Sequence, residues 1–301
     1  MFKISDWNCE QFKFGRNEHQ YFGKSVALSD SYAIVGAPNY NSNYGYIKIY
    51  QLNSGAWTNI KNITGQSSEY WGNTVDITDQ YAMIGSYYYN SQQGKAYIYT
   101  LESWTKIDLR PNDPANSDYF GWSVALNNNY AIVGAYYDDD NGSNSGSAYV
   151  FQNNSGTWKQ VAKMTASDGY NNEYYGYNVS MSANHFFIGA YNKASSTGAV
   201  YVYPNSRYTI SGYIYDKDLN PVPLAVVNFT NASSAVSDGN GFYSNTVFLG
   251  WSGDVTVQKG HYLFSPSSHR YEKFIRIIAI KTFITKYLPS QDLSKIQQEC
   301  L

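Results

Sequence analysis

Residues 21–38 read YFGKSVALSDSYAIVGAP, and residues 119–136 read YFGWSVALNNNYAIVGAY. Two looser copies occur at 70–87, YWGNTVDITDQYAMIGSY, and at 174–191, YYGYNVSMSANHFFIGAY. The leading glycines, Gly23, Gly72, Gly121 and Gly176, are separated by steps of 49, 49 and 55. A second glycine follows each by thirteen residues, at Gly36, Gly85, Gly134 and Gly189. Self-similarity at such a period marks a chain of stacked supersecondary units, none of which can bury its apolar face alone.

Each unit reads as four strands. In the first, apolar residues alternate (Val26 and Leu28, Val75 and Ile77, Val124 and Leu126, Val179 and Met181), as in a strand with one buried face. The second is a continuous apolar run, AIVGA at 33–37 and 131–135, as in a strand covered on both faces. A third glycine opens an alternating third strand: GYIKIY at 45–50, GKAYIY at 94–99, GSAYVF at 146–151 and GAVYVY at 198–203. A fourth strand is expected around Trp57, Trp104 and Trp158. Four-stranded units of about 40–50 residues point to an all-β fold of propeller blades, with a β-solenoid as the alternative.

The blades are expected at about 20–62, 69–109, 118–163 and 173–203, within a domain spanning 1–206. The last unit ends at Tyr203-Pro204 without a fourth strand, whereas Trp7 stands 16 residues before Gly23. Trp57, Trp104 and Trp158 stand 15, 17 and 18 residues before the next leading glycine. Residues 4–14 are therefore expected to complete the last blade and close a four-bladed ring. The alternative is an arc of a larger propeller.

The string aromatic-Gly-x-Ser-Val-Ala-Leu followed by Val-Gly-Ala-Pro at 22–38, repeated closely at 120–135, resembles the FG-GAP repeat. That repeat is the blade unit of integrin α-chain headpieces and of many bacterial surface proteins. The resemblance covers residues 4–203 and implies a propeller used in adhesion or recognition. Integrin-like blades place a calcium loop rich in Asp and Asn between the two strands of the block. Here that junction is a tight SDSY, TDQY, NNNY or SANH, so integrin-type calcium sites are not carried over.

Residues 207–270 change style. RYTISGYIYDKDLNPVPLAVVNFT alternates, turns at 217–221 and alternates again, and the turn Asp238-Gly239-Asn240-Gly241 is followed by further short strands. A small β-sandwich of prealbumin or immunoglobulin-like type is expected. The pattern SGYIYDKDLNPVP…SDGNGFY resembles the carboxypeptidase regulatory-like domain, which implies a spacer without catalytic residues. Residues 271–301 remain unassigned. FIRIIAIKTFITKYL at 274–288 admits a basic amphipathic helix striped by Ile277, Ile280, Ile284 and Leu288. It also admits a helix or strand packed on the sandwich, or a shifted reading frame.

The bulk numbers exclude some partners. With 15% charged residues and a net charge of −2, the chain of 301 residues has no general attraction for nucleic acid or acidic membranes. Cys9 and Cys300, at opposite ends, are expected to be free thiols. MFKISDWNCEQFKF has no apolar core of a signal peptide, and no stretch reaches the ~18–20 apolar residues of a membrane span. Low charge with 32 tyrosines and abundant Asn, Ser and Gly points to an extracellular or cell-surface protein.

Catalytic chemistry is hard to assemble. Phe22-Gly23-Lys24-Ser25 lacks the earlier glycine of a phosphate loop and opens a strand, and Asp216–Asn220 is followed by proline where a calcium loop needs glycine. No G-x-S-x-G, H-E-x-x-H or C-x-x-C occurs, and the expectation is a protein that is not an enzyme. Asp138, Asp139, Asp140 and Asn141 are a candidate calcium site, weighed against a solvated turn. If successive strands are antiparallel, the long loops of all units share one face. They carry Tyr40, Tyr44, Tyr87, Tyr88, Tyr89, Tyr136, Tyr137, Tyr170 and Tyr191 among Asn, Ser and Gly. Rings stack on sugar faces and amides satisfy hydroxyls, and the same mix serves protein paratopes, so the expected ligand is a glycan or a protein. The alternatives are the non-catalytic portion of a larger exported enzyme and a structural matrix component.

Overall fold

Four sheets follow the four repeats. The computed structural model describes residues 21–66, 69–205, 207–230, 232–248, 253–260, 262–271 and 280–286. Sheet I holds β1 (Ser25–Leu28), β2 (Tyr32–Ala37), β3 (Tyr46–Asn53) and β4 (Ala56–Thr64). Sheet II holds β5 (Val75–Ile77), β6 (Tyr81–Ser86), β7 (Lys95–Thr100) and β8 (Lys106–Leu109). Sheet III holds β9 (Ser123–Leu126), β10 (Tyr130–Ala135), β11 (Ser147–Asn154) and β12 (Thr157–Met164). Sheet IV has three strands among the described residues: β13 (Tyr175–Met181), β14 (His185–Ala190) and β15 (Ala199–Pro204). Each is an antiparallel meander in sequence order. The proposed closing strand, 4–14, lies outside the described residues.

Local chemistry repeats with the sequence. The leading glycines hold φ between +84° and +92°, a region that L side chains enter only under strain. The third and fourth strands of sheets I and III slip register at equivalent points, Ile49/Tyr50 and Val150/Phe151, and such bulges increase strand twist. Trp57 and Trp158 lie in the fourth strands as expected, whereas Trp104 sits in the turn before β8 with φ +57°.

The sheets pack face to face, and each interface is a core shared by neighbours. Ile34, Ile47 and Ile49 of sheet I meet Trp71, Val75 and Ile77 of sheet II. Met83, Ala96 and Ile98 of sheet II meet Phe120, Val124 and Leu126 of sheet III. Ile132, Ala148 and Val150 of sheet III meet Tyr175, Val179 and Met181 of sheet IV. Full burial of an Ile or Leu contributes about 1.5–3 kcal/mol, so these interfaces stabilise units too thin to fold alone. The alternation expected for the first strands is altered by this packing. In β1 the apolar residues are the exposed ones, Val26 at 67% and Leu28 at 69%, and β9 is buried on both faces. Among the described residues β1 has no sheet in front of it, while β9 lies between two.

The second region continues with β16 (Arg207–Tyr215), β17 (Val226–Phe229), β18 (Ala235–Val236), β19 (Phe242–Phe248), β20 (Gly253–Gln258), β21 (Leu263–Ser265), β22 (Ser268–Tyr271) and β23 (Ile280–Lys286). Two sheets result, ordered β19-β16-β23-β21 and β18-β17-β20-β22. Ile210, Ile214, Val227, Phe229, Tyr243, Val247, Val255 and Val257 fill one core between them. Asp216 accepts the backbone N–H groups of Asp218 and Asn220, so that segment is a turn closed on its own carboxylate. The unassigned tail supplies β23, parallel to β16 and antiparallel to β21, and not the amphipathic helix its spacing admits. A short run of β-branched residues satisfies both periods, and an open sheet edge decides between them. Strand β19 packs on β12, which joins the two regions.

Candidate functional site

The eighteen-residue block begins and ends with tyrosine in sheets II, III and IV, and the two ends touch. Ring centroids are 5.4 Å apart for Tyr70 and Tyr87, 5.6 Å for Tyr119 and Tyr136, and 5.3 Å for Tyr174 and Tyr191. The last two pairs are stacked, at 26° and 15°. Each leading tyrosine has positive φ (+62° at Tyr21, +57° at Tyr70, +55° at Tyr119, +57° at Tyr174), a conformation that costs on the order of 1–3 kcal/mol for a bulky residue. The turn throws the ring onto the loop face, and packing with its neighbours offsets the cost.

Pairs from successive sheets then join. Tyr87 lies 5.7 Å from Tyr119, and Tyr136 lies 5.8 Å from Tyr174. Trp122 bridges Tyr87 and Tyr177 at 5.0 and 5.5 Å, and Tyr177 reaches Tyr191 at 4.3 Å. Tyr88 and Tyr137 flank the row, packed on Tyr70 at 5.3 Å and on Tyr119 at 5.1 Å. One continuous aromatic row therefore crosses sheets II to IV. Its rings are mostly half-buried, with Tyr88 and Tyr191 exposed at 40% and 49%. Burial, then the neighbouring phenols, push Tyr87 up to about 12 and raise Tyr136 as well, so these hydroxyls stay neutral donors and acceptors.

Of the expected ligand tyrosines, the structure brings Tyr87, Tyr88, Tyr136, Tyr137 and Tyr191 into this row. Tyr40 packs instead on Tyr46 at 5.2 Å, and Tyr44 sits half-buried at the end of its loop. Tyr89 lies under Lys95 at 4.1 Å and accepts from Arg110 Nη2 at 2.9 Å. Tyr170 is 72% exposed, beside Glu173. The sequence reading missed Tyr70, Tyr119, Trp122, Tyr174 and Tyr177. The signal for Tyr70, Tyr119 and Tyr174 was available, because the tyrosine before each aromatic-Gly pair recurs in all four copies, whereas Trp122 and Tyr177 stand where the other copies have Lys24 and Asn73.

A second missed pattern lies just before it. Glu69, Asp118 and Glu173 each precede a leading glycine by three residues and are buried. Glu69 Oε2 accepts from Trp71 Nε1 at 2.7 Å, Tyr97 OH at 2.8 Å and Ser86 Oγ at 3.0 Å. Glu173 pairs with Lys193 at 2.8 Å. Burial, and then the charge of Asp138, push Asp118 up to about 7 despite the N–H that Ala115 donates to it at 3.0 Å.

The candidate calcium residues Asp138–Asn141 are held by partners within the chain. Asp138 is buried, and accepts from Ser147 Oγ at 2.9 Å and Tyr149 OH at 2.8 Å. Lys163 Nζ stands 2.8 Å from Asp138 and 2.7 Å from Asp113, and also pairs with Asp140. Asp139 caps the N–H of Asn144 at 2.6 Å, and Asn141 Nδ2 donates to Ala166 O at 2.9 Å. The counter-charge is thus a lysine, and among the described residues no group of acids or histidines is arranged to hold a metal ion.

Residues 104–151 and 158–203 match the FG-GAP repeat family. Both segments open at a tryptophan and close within a third strand. The region is all-β, and its antiparallel sheets together with the two repeat matches are consistent with a β-propeller of FG-GAP repeats. Such modules are often used in adhesion or recognition. No curated protein matches the chain. Among solved structures, the N-terminal domain of Nup159 aligns over 72% of this chain and 60% of its own, with 12% identity and a TM-score of 0.35. Kuenenia stuttgartiensis hydrazine synthase aligns over 87% of this chain and 70% of its own, with 9% identity and a TM-score of 0.41. The aligned part of Nup159 thus leaves out more than a third of that domain. No helix among the described residues is long and apolar enough to cross a membrane.

Proposed function

We propose that this protein is a non-catalytic recognition module, extracellular or displayed at a cell surface, whose ligand is a glycan or a protein bound along the tyrosine row. The observation that carries the reading is the row itself: contiguous neutral phenols on one face, flanked by loops rich in Asn and Ser. Strained backbone at four equivalent tyrosines is maintained where it serves the placement of those rings. Tyr88 and Tyr191 offer exposed ring surface for stacking, and the surrounding amides and hydroxyls satisfy a polar ligand. In this reading the sandwich is a carboxypeptidase regulatory-like spacer that holds the face away from its point of attachment.

The test is a glycan array and a surface-protein capture screen run in parallel with the full chain and with a Tyr88→Ala/Tyr191→Ala variant. Binding that weakens at least about tenfold in the variant is expected, since stacking on one exposed ring contributes roughly 1 kcal/mol and the variant removes two. A ligand whose affinity is unchanged by the double substitution would sink the proposal.

A further inference from the structure

Every contact that joins one sheet to the next has a tail half on the earlier sheet and a head half on the later one. In the three joints, a Cβ on the second glycine of the earlier sheet would fall 2.2, 2.1 and 1.9 Å from the carbonyl oxygen of the next leading glycine (Gly36 on Gly72, Gly85 on Gly121, Gly134 on Gly176). The third glycines bridge the aromatic before that leading glycine, as Gly45 does Trp71 and Gly94 does Phe120. The backbone N–H groups of Tyr70, Tyr119 and Tyr174 bond the loop of the sheet before, at Asn43, Gln92 and Asn144.

Sheet IV carries a tail half and sheet I a head half, and among the described residues neither is filled. A Cβ on Gly189 meets nothing closer than Asn178 O at 3.6 Å, and one on Gly23 meets nothing within 4 Å. The apolar surfaces are open too. Phe187, Val200 and Val202 are 39%, 67% and 51% exposed, while the residues at the same positions in sheet I, Ile34, Ile47 and Ile49, are all 0% exposed. At the other end Val26 and Leu28 are bare, although their equivalents Val75 and Ile77 are 8% and 4% exposed. Among the described residues no packing like that of β5 on β1 joins β13 to β1.

We propose that a second copy of this chain fills the joint, with sheet I of one molecule seated on sheet IV of the other, head to tail. The two open surfaces are the two halves of a joint that the chain already forms three times, so the partner that fits each is the other end of the same molecule. The contact is heterologous; it closes as a two-fold ring when both joints form, and otherwise propagates. Phe22, Val26 and Leu28 then cover Phe187, Val200 and Val202, and Gly189 receives the carbonyl of Gly23.

Light scattering on the full chain, across a roughly hundredfold dilution range, reads the assembly directly because association follows mass action. Twice the chain mass of 34.0 kDa, or a larger multiple, is expected at the concentrated end. Gly189→Ala leaves the single molecule unstrained, since its φ is not left-handed and its Cβ makes only ordinary contacts. It blocks the joint, so a monomer with an unchanged melting curve is expected. Val26→Asp/Leu28→Asp blocks the other half and is also expected to be monomeric. Mixing the two variants restores one good head and one good tail, and a dimer should reappear, which also shows that both fold. A wild-type mass of 34.0 kDa throughout, or an assembly that survives Gly189→Ala, overturns the proposal.

Discussion

Residues 25–28 and 123–126 both read Ser-Val-Ala-Leu, and both form a first strand in the same register, with Ser25 opposite Gly36 and Ser123 opposite Gly134. In sheet III the valine and leucine are 7% and 6% exposed; in sheet I they are 67% and 69% exposed. Four identical residues thus serve as core in one place and as surface in the other. The strand comes from the local pattern, but the core comes from the sheet in front: Met83, Ala96 and Ile98 cover β9, and nothing equivalent covers β1 among the described residues. In a stacked array, burial belongs to the pair of neighbours and not to either segment.

The comparison breaks most visibly with a charge. Val124→Asp buries an uncompensated carboxylate between sheets II and III and is expected to cost about 3–5 kcal/mol. Val26→Asp in dilute solution is expected to stay within about 0.5 kcal/mol, as surface changes do. Urea melts of the two variants check this. A smaller contrast separates Gly134→Ala, whose Cβ would fall 1.9 Å from Gly176 O, from Gly189→Ala. The first forces sheets III and IV apart and is expected to cost about 1–3 kcal/mol, while the second leaves the melt unmoved.

Glu69→Ala sharpens the account of the joints. It removes the acceptor of Trp71, Tyr97 and Ser86, and stranding buried donors is expected to cost about 1–3 kcal/mol in thermal melting. Asp118 gives the smallest effect and one that depends on pH. Its folded-state pKa of about 7 lies above the unfolded value of 3.8, so the native chain holds a proton that the unfolded chain has released. Stability therefore falls as pH rises through that window, and the loss is complete above the folded value. Asp118→Asn should flatten this slope, gaining about 1 kcal/mol at roughly pH 8 and little at roughly pH 5. A variant with the wild-type slope would show that another group is responsible.

Much of the fold was legible because glycine and β-branched residues act locally. A leading glycine with positive φ and an apolar run between turns need no knowledge of the neighbour. What could not be read depends on residues far along the chain. The acids at 138–140 look like a cation site in isolation, because Lys163, which pairs with Asp138 and Asp140, stands on another strand. Glu69 and Glu173 look like ordinary loop acids until later residues of their own repeat supply partners, Ser86 and Tyr97 for Glu69 and Lys193 for Glu173. The tyrosine row was half visible: the long loops display Tyr87, Tyr88, Tyr136, Tyr137 and Tyr191, but Tyr70, Tyr119 and Tyr174 hide in a motif that reads as packing. In 274–288 helix and strand periods coincide, so only the open edge beside β16 and β21 assigns 280–286.

The most direct test of this neighbour rule is side-chain footprinting of the full chain by hydroxyl radicals, read residue by residue in a mass spectrometer at low and high protein concentration. The account expects Val124 and Leu126 to be protected at both concentrations. Val26 and Leu28 should be labelled when dilute and become protected, together with Val200 and Val202, when concentrated. Protection of Val26 and Leu28 at every concentration would mean that one molecule covers them by itself, and would contradict the open joint on which the comparison rests.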